Sequence, residues 1–94
     1  MSDATLEDHG SRRRYVIRRP EGEAELTLSV FGPDKVSADH TYVPESLRGQ
    51  GLAEALLEAL LDDARAQGFR IVPLCRFVES QARRHPEWAD LFTA

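Results

Sequence analysis

The sequence predicts a small α/β (α+β) domain, an antiparallel strand meander followed by a strand, helix, strand unit and a C-terminal helix. Residues 23–30 alternate strictly between polar and apolar, residues 51–67 repeat apolar positions at helical spacing, and 94 residues leave room for one domain only. Hydrophobic residues make up 41% of the chain and charged residues 30%, a globular balance that excludes a disordered or membrane-embedded protein. A chain of this size buries roughly 60 to 70% of its unfolded surface, so the core is thin. Twelve basic against sixteen acidic residues give a net charge of −4, which argues against a nucleic-acid partner.

The elements follow in order. Met1–Ser11 shows no periodicity and is expected to be a flexible N-terminal tail, leaving residues 12–94 as the folded domain. It also lacks the apolar core of a secretory leader, and no stretch reaches the roughly 18 apolar residues of a membrane span. The single cysteine, Cys75, cannot form an intramolecular disulfide, so a reducing cytoplasm is the expected location. Arg12-Arg13-Arg14 is flanked by acidic residues and reads as solvated surface. Tyr15–Arg18 is a short strand candidate and Pro20-Glu21-Gly22 a turn. In the next strand, Ala24, Leu26, Leu28 and Val30 share one face, and Glu23, Glu25, Thr27 and Ser29 the other. Gly32-Pro33-Asp34 makes a second turn into a strand from Lys35 to Val43, which Pro44 ends because proline has no N–H for a ladder. On period-two alternation Val36, Ala38, His40 and Tyr42 share a face of that strand.

After the loop Glu45–Gly51, apolar residues Leu52, Ala53, Leu56, Leu57, Leu60, Leu61 and Ala64 line one side of a helix. Gly68 is its C-terminal cap, and Phe69–Cys75 reads as a buried strand parallel to the one ending at Val43. Phe77–His85 is a second helix stopped by Pro86, with Trp88, Leu91 and Phe92 covering the core.

The chemistry concentrates where the third predicted strand, the last of the meander, meets the first helix. Arg48-Gly49-Gln50-Gly51-Leu52-Ala53 joins a strand end to a helix start, where unpaired amides and the helix dipole favour an anion. Gly49 and Gly51 permit close approach of a diphosphate. The Walker loop is excluded because no Gly-Lys-Ser/Thr is present, and Glu54 occupies the third small position of a dinucleotide fingerprint. A simple turn remains the bland alternative for glycines spaced this way. His40 is either functional or a half-buried histidine packed under the helix. Cys75 is either an inert buried thiol or a thiol whose pKa is lowered by the next helix N-terminus and Arg76. His85 at a helix C-terminus reads as a cap. The three histidines and one cysteine share no local ligand spacing, and no metal is expected.

His40-Thr41-Tyr42-Val43-Pro44, then Arg48 through Ala53, then Cys75 with Phe77 and His85-Pro86-Glu87-Trp88, resemble the minimal branch of the GNAT superfamily of acetyl-coenzyme A dependent N-acetyltransferases. That superfamily carries Arg or Gln, two residues, Gly, one residue, then Gly or Ala, which Arg48, Gly51 and Ala53 match. The resemblance spans roughly Tyr15 to Phe92. It implies a GNAT-like fold with splayed parallel strands. Coenzyme A would lie with its diphosphate on Arg48, Gly49, Gln50, Gly51, Leu52 and Ala53 and its pantetheine arm beside Tyr42 and Val43.

An acceptor amine must lose protons to attack the thioester, and His40 is the candidate base. Cys75 is the candidate acetyl-accepting nucleophile or proton donor to the departing thiolate, with direct attack by the amine as the default. Most members carry a helical pair after the first strand and many a tyrosine after the later strand. Pro20–Glu23 leaves room only for a turn and no tyrosine follows Tyr42, so the acceptor side is expected to be open. Two functions from different classes therefore stand: an N-acetyltransferase acting on a protein lysine, an N-terminus or a small amine, and a non-catalytic coenzyme A binding or protein-interaction module.

Overall fold

The strictly alternating segment becomes the centre of a sheet. The computed structural model describes residues 3–94. Strands β1 (Thr5–His9), β2 (Arg12–Arg19), β3 (Gly22–Gly32), β4 (Lys35–Tyr42) and β5 (Arg70–Pro73) form one five-stranded sheet in chain order. The first four are mutually antiparallel and β5 runs parallel to β4. Helix α1 (Leu52–Gln67) supplies the crossover, and α2 (Arg76–Arg84) and a short 3-10 helix, Pro86–Leu91, follow β5.

The expected flexible tail is corrected by this sheet. Thr5–His9 pairs with Arg12–Val16, through a turn at Gly10 whose φ of +81° is left-handed and whose N–H donates to Asp8 Oδ1 at 2.9 Å. Met1 and Ser2 lie outside the described residues. Hydrophobic periodicity could not reveal this strand because its cross-strand partners are ionic: Glu7 with Arg14 and Arg18, and Asp8 with Arg13. The meander therefore has four strands rather than three.

One face of the sheet is apolar. Tyr15 and Ile17 of β2, Ala24, Leu26 and Leu28 of β3, and Val36 and Ala38 of β4 pack against Leu56, Leu57, Leu60, Leu61 and Ala64 of α1. Each fully buried leucine contributes about 1.5 to 3 kcal/mol of transfer free energy. The Tyr15 hydroxyl donates to Asp63 at 2.5 Å, which satisfies its one polar atom at the rim of this core. Helix α1 ends as its sequence indicates, with Gly68 at φ +80° donating its N–H to Ala64 O.

The opposite face carries charge. Arg14 bonds Glu7 and Glu25 at 2.8 and 2.7 Å, and Arg18 bonds Glu23 at 2.7 Å. Val16, on this face by its pairing with Glu25, is buried.

Strand β5 is shorter than the segment Phe69–Cys75 predicts. After Pro73 the chain curls, and the N–H groups of Leu74 and Cys75 both donate to Ala38 O, at 3.1 and 2.9 Å. The free side of β5 is covered by the C-terminal segment, where Phe92 bridges Ile71 and Thr93 N–H donates to Ile71 O at 2.9 Å. Among the described residues no helix is long and apolar enough to cross a membrane.

Candidate active site

Strand β4 does not keep the alternation its sequence predicts. Leu28 of β3 pairs with Ala38, but Thr27, the next residue back along β3, pairs with His40, so Asp39 is an extra residue in a β-bulge. The bulge reverses the phase of everything after it. His40 and Tyr42 lie opposite Thr27 and Glu25 on the charged face, and Thr41 lies opposite Leu26 on the core face. This corrects the expectation that His40 and Tyr42 share a face with Val36 and Ala38. His40 is exposed, which removes the reading of a half-buried histidine under the helix, and Tyr42 is 48% exposed.

Asp39 is held in place. Its Oδ2 accepts the Ser29 hydroxyl and its Oδ1 the Ser37 hydroxyl, both at 2.5 Å, short bonds of the charge-assisted kind. Ser37 is itself 1% exposed.

The bulge coincides with the end of strand pairing. The parallel ladder joins Lys35 through Ala38 to Arg70 through Pro73 and goes no further, while β4 continues to Tyr42 and β5 turns into α2. The two strands splay from Ala38 onward, leaving the β5 side of residues 39–42 outside the ladder. Cys75 stands at the far side of this opening as the N-terminal cap residue of α2. Its Sγ lies 3.1 Å from Thr41 Oγ1, and the residue is 8% exposed. His40 and Cys75 therefore do not share a face: the histidine opens outward, and the thiol meets Thr41 on the core side.

Beyond Tyr42 the chain makes the predicted loop. Val43 and Pro44 lead into a 3-10 turn, Glu45–Leu47, anchored by buried Leu47. Arg48 Nε donates to Val43 O at 3.2 Å, tying the loop back to the strand end. Gly49 and Gly51 have φ of +82° and +75°, values only glycine adopts without strain, and a Cβ on either would meet nothing within 4 Å. Gly51 is the N-terminal cap of α1 and offers no side-chain partner, so the first-turn amides of Leu52, Ala53 and Glu54 keep the orphan donors of a helix start.

Val43, Arg48, both glycines and this first turn line a concavity of about 350 Å³. Its amide donors and open space fit a diphosphate. The exposed Glu54 on the same lining favours the helix dipole but opposes an anion, and Arg48 is the countercharge there. Gln50 is exposed and outside the lining.

The fold thus brings Val43, Arg48, Gly49, Gly51, Leu52 and Ala53 into one recess beside the splay, and puts His40 and Cys75 at its two faces. His85 caps α2 and stacks on Trp88, ring centroids 4.0 Å apart, with Nδ1 2.9 Å from Glu87. Arg83 pairs with Glu79. Sequence reasoning missed Thr41 as the Cys75 partner and Asp39 as the bulge residue. An aspartate in mid-strand, where that residue is disfavoured, was the available signal for the second.

A family model described as GCN5-related N-acetyl-transferase matches residues 14–91. Protein NATD1 of Bos taurus is 30% identical over 82 residues, 84% of this chain and 73% of that protein. Protein NATD1 of Homo sapiens is 29% identical over the same shares. The solution structure of a GCN5-like putative N-acetyltransferase from Staphylococcus aureus has a TM-score of 0.69 at 23% identity, covering 100% of this chain and 92% of that one. The crystal structure of ribosomal-protein-alanine N-acetyltransferase from Brucella melitensis biovar Abortus 2308 has a TM-score of 0.59 at 22% identity, covering 89% and 65%. At these identities the solved structures establish the fold alone. Strand β1 precedes the matched region.

Proposed function

Because the chain belongs to the GCN5-related N-acetyltransferases, we propose that it transfers an acetyl group from acetyl-coenzyme A to an amine at the splay between β4 and β5. One observation carries this reading: the splay begins at Ala38 and opens towards a recess of left-handed glycines and free helix-start amides. The diphosphate of the coenzyme is assigned to Arg48, Gly49, Gln50, Gly51, Leu52 and Ala53. The pantetheine arm is assigned to the unpaired side of β4 up to Tyr42 and Val43, where its amides take the place of a missing strand.

The two faces of the splay divide the chemistry. The amine approaches from the open face, and an N–C bond forms as its nitrogen attacks the acetyl carbonyl. His40 takes the proton the nitrogen sheds, a task suited to an imidazole at neutral pH. The C–S bond breaks as the tetrahedral intermediate collapses, and the Cys75 thiol gives its proton to the departing thiolate from the core side. Thr41 holds that thiol in position through the 3.1 Å contact. Solvent then restores both groups. His40 is exposed, which favours an amine presented on a protein surface or terminus over a small enclosed metabolite.

Titration calorimetry with coenzyme A, followed by thiol release from acetyl-coenzyme A with lysine peptides and small amines, tests the reading. Heat on binding and amine-dependent release are expected. The mass of the protein treated with acetyl-coenzyme A alone should stay unchanged, because the amine attacks directly; an acetyl group on Cys75 would replace that route by a covalent one. Absence of binding by the folded domain overturns the assignment. Binding without turnover for any amine leaves a coenzyme A binding module.

A further inference from the structure

We propose that Asp39 is a positioning residue whose clamp by Ser29 and Ser37 sets the phase of β4, and so decides that His40 faces the acceptor while Thr41 faces Cys75. The inference rests on the reading of His40 as the base. A bulge is one residue too many in one strand, and the ladder itself does not say which residue is left over: a shift of one position turns every following side chain to the other face. Here the surplus residue is the only one between Ala38 and His40, and both its carboxylate oxygens are occupied.

The donors come from two strands, on the same side of the irregularity. Ser29 and Ser37 are themselves opposite each other across β3 and β4, one pair back from Leu28 and Ala38, which border the bulge. Their hydroxyls converge on one carboxylate, so the extra residue is fixed to the last regular pair on its own face. Ser37 is 1% exposed, and its hydroxyl has no water to fall back on once the carboxylate is removed. With the clamp gone, the surplus can move along the strand past His40, which returns His40 to the core face of Ala38. The clamp touches neither the coenzyme recess nor the acceptor, and acts only through the residues that follow it.

Asp39→Ala tests this, with Asp39→Asn as the conservative variant, since an amide can accept one hydroxyl bond and donate the other. Reaction of the free protein with diethylpyrocarbonate, read residue by residue by mass spectrometry, reports the face of His40 without needing activity. Exposed His9 serves as the internal standard. In the native chain His40 should react as His9 does. In Asp39→Ala its relative reactivity should fall severalfold, and kcat should drop on the order of 10²-fold, as misplacement of a catalytic group does. Coenzyme A affinity should fall less than kcat, because the diphosphate recess is separate while the main-chain groups beside the pantetheine arm turn with the strand, and Asp39→Asn should restore both His40 reactivity and kcat.

If Asp39→Ala fails to fold, Ser29→Ala combined with Ser37→Ala removes the same two bonds and should give the same loss of His40 reactivity. Unchanged His40 reactivity in a folded clamp variant overturns the proposal. Should the native protein lack transferase activity, the reactivity of His40 still decides the clamp, so failure of the function and failure of the clamp are separable.

Discussion

From Lys35 to Ala38, β4 has β3 on one side and β5 on the other, and Val36, Ser37 and Ala38 are buried. From Asp39 to Tyr42 it has β3 alone, and His40 and Tyr42 are exposed. The two halves belong to one eight-residue strand and differ by a single surplus residue and the departure of a neighbour. The first half places its side chains where burial stabilises the fold. The second half forgoes that burial and gains main-chain groups free to pair with a ligand and side chains that reach solvent on one face and a thiol on the other. Stability and reactivity are separated along the strand, so substitutions in the two halves should fail in different ways.

The largest expected contrast is between His40→Ala in the open half and Ile71→Ala, whose residue pairs with Val36 beside the closed half. On the role proposed for His40, its loss should lower kcat by about 10² to 10⁴. Because His40 is exposed, urea unfolding should move by no more than about 0.5 kcal/mol. Ile71 is fully buried, and Ile71→Ala should cost about 2 to 5 kcal/mol in the same unfolding experiment. Equal stability losses for the two would erase the contrast.

Gly51→Ala sharpens the boundary between fold and site. With φ at +75° the added Cβ strains the backbone by about 1 to 2 kcal/mol, yet it meets no protein atom within 4 Å. Coenzyme A affinity by calorimetry should therefore fall together with a modest drop in stability. A variant with lowered stability and native affinity would remove the diphosphate from that loop.

Tyr15 tests the closed core by pH. Burial, and then the hydrogen bond to Asp63, push its phenol far above the ordinary tyrosine range. The folded chain keeps a proton that the unfolded chain releases above about pH 10. Ionisation of Tyr15 should leave stability unchanged below that pH and lower it as pH rises beyond it, by linkage. Alkaline difference spectra should show Tyr15 ionising only with unfolding, and Tyr15→Phe should remove its share of the decline.

The smallest effect belongs to the outer face. Arg18 and then Arg14 hold the Glu7 carboxyl below the usual carboxylate range. The stability this gives is present above that range and lost as pH falls through the lowered value. Arg18 is exposed and Glu7 and Arg14 are half-buried at the surface, so Glu7→Gln should change chemical unfolding slightly, and less still at high salt.

Legibility in the sequence followed the kind of force at work. The hydrophobic repeat of α1, the alternation of β3, the stop at Pro44 and the cap at Gly68 are local signals, and the structure places these elements within a residue or two of their expected ends. The glycine loop was equally legible, because positive φ leaves a glycine in the sequence. Strand β1 was not, since its partners are arginines on β2 that look like any charged surface. The shortness of β5 was hidden for a similar reason: two N–H groups converge on Ala38 O, a long-range event that Leu74 and Cys75 do not announce.

By itself, then, the sequence determined the elements from β2 onward, their order, the family and the residues available for chemistry. Only tertiary structure decided which of those residues meet. Period two along a strand is a local rule and predicts His40 beside Ala38. Where the rule breaks depends on a carboxylate finding two hydroxyls, one of them on a neighbouring strand. The side-chain face after this bulge depends on a hydrogen bond that crosses from one strand to the next as well as on a local one, and the local pattern alone does not encode it.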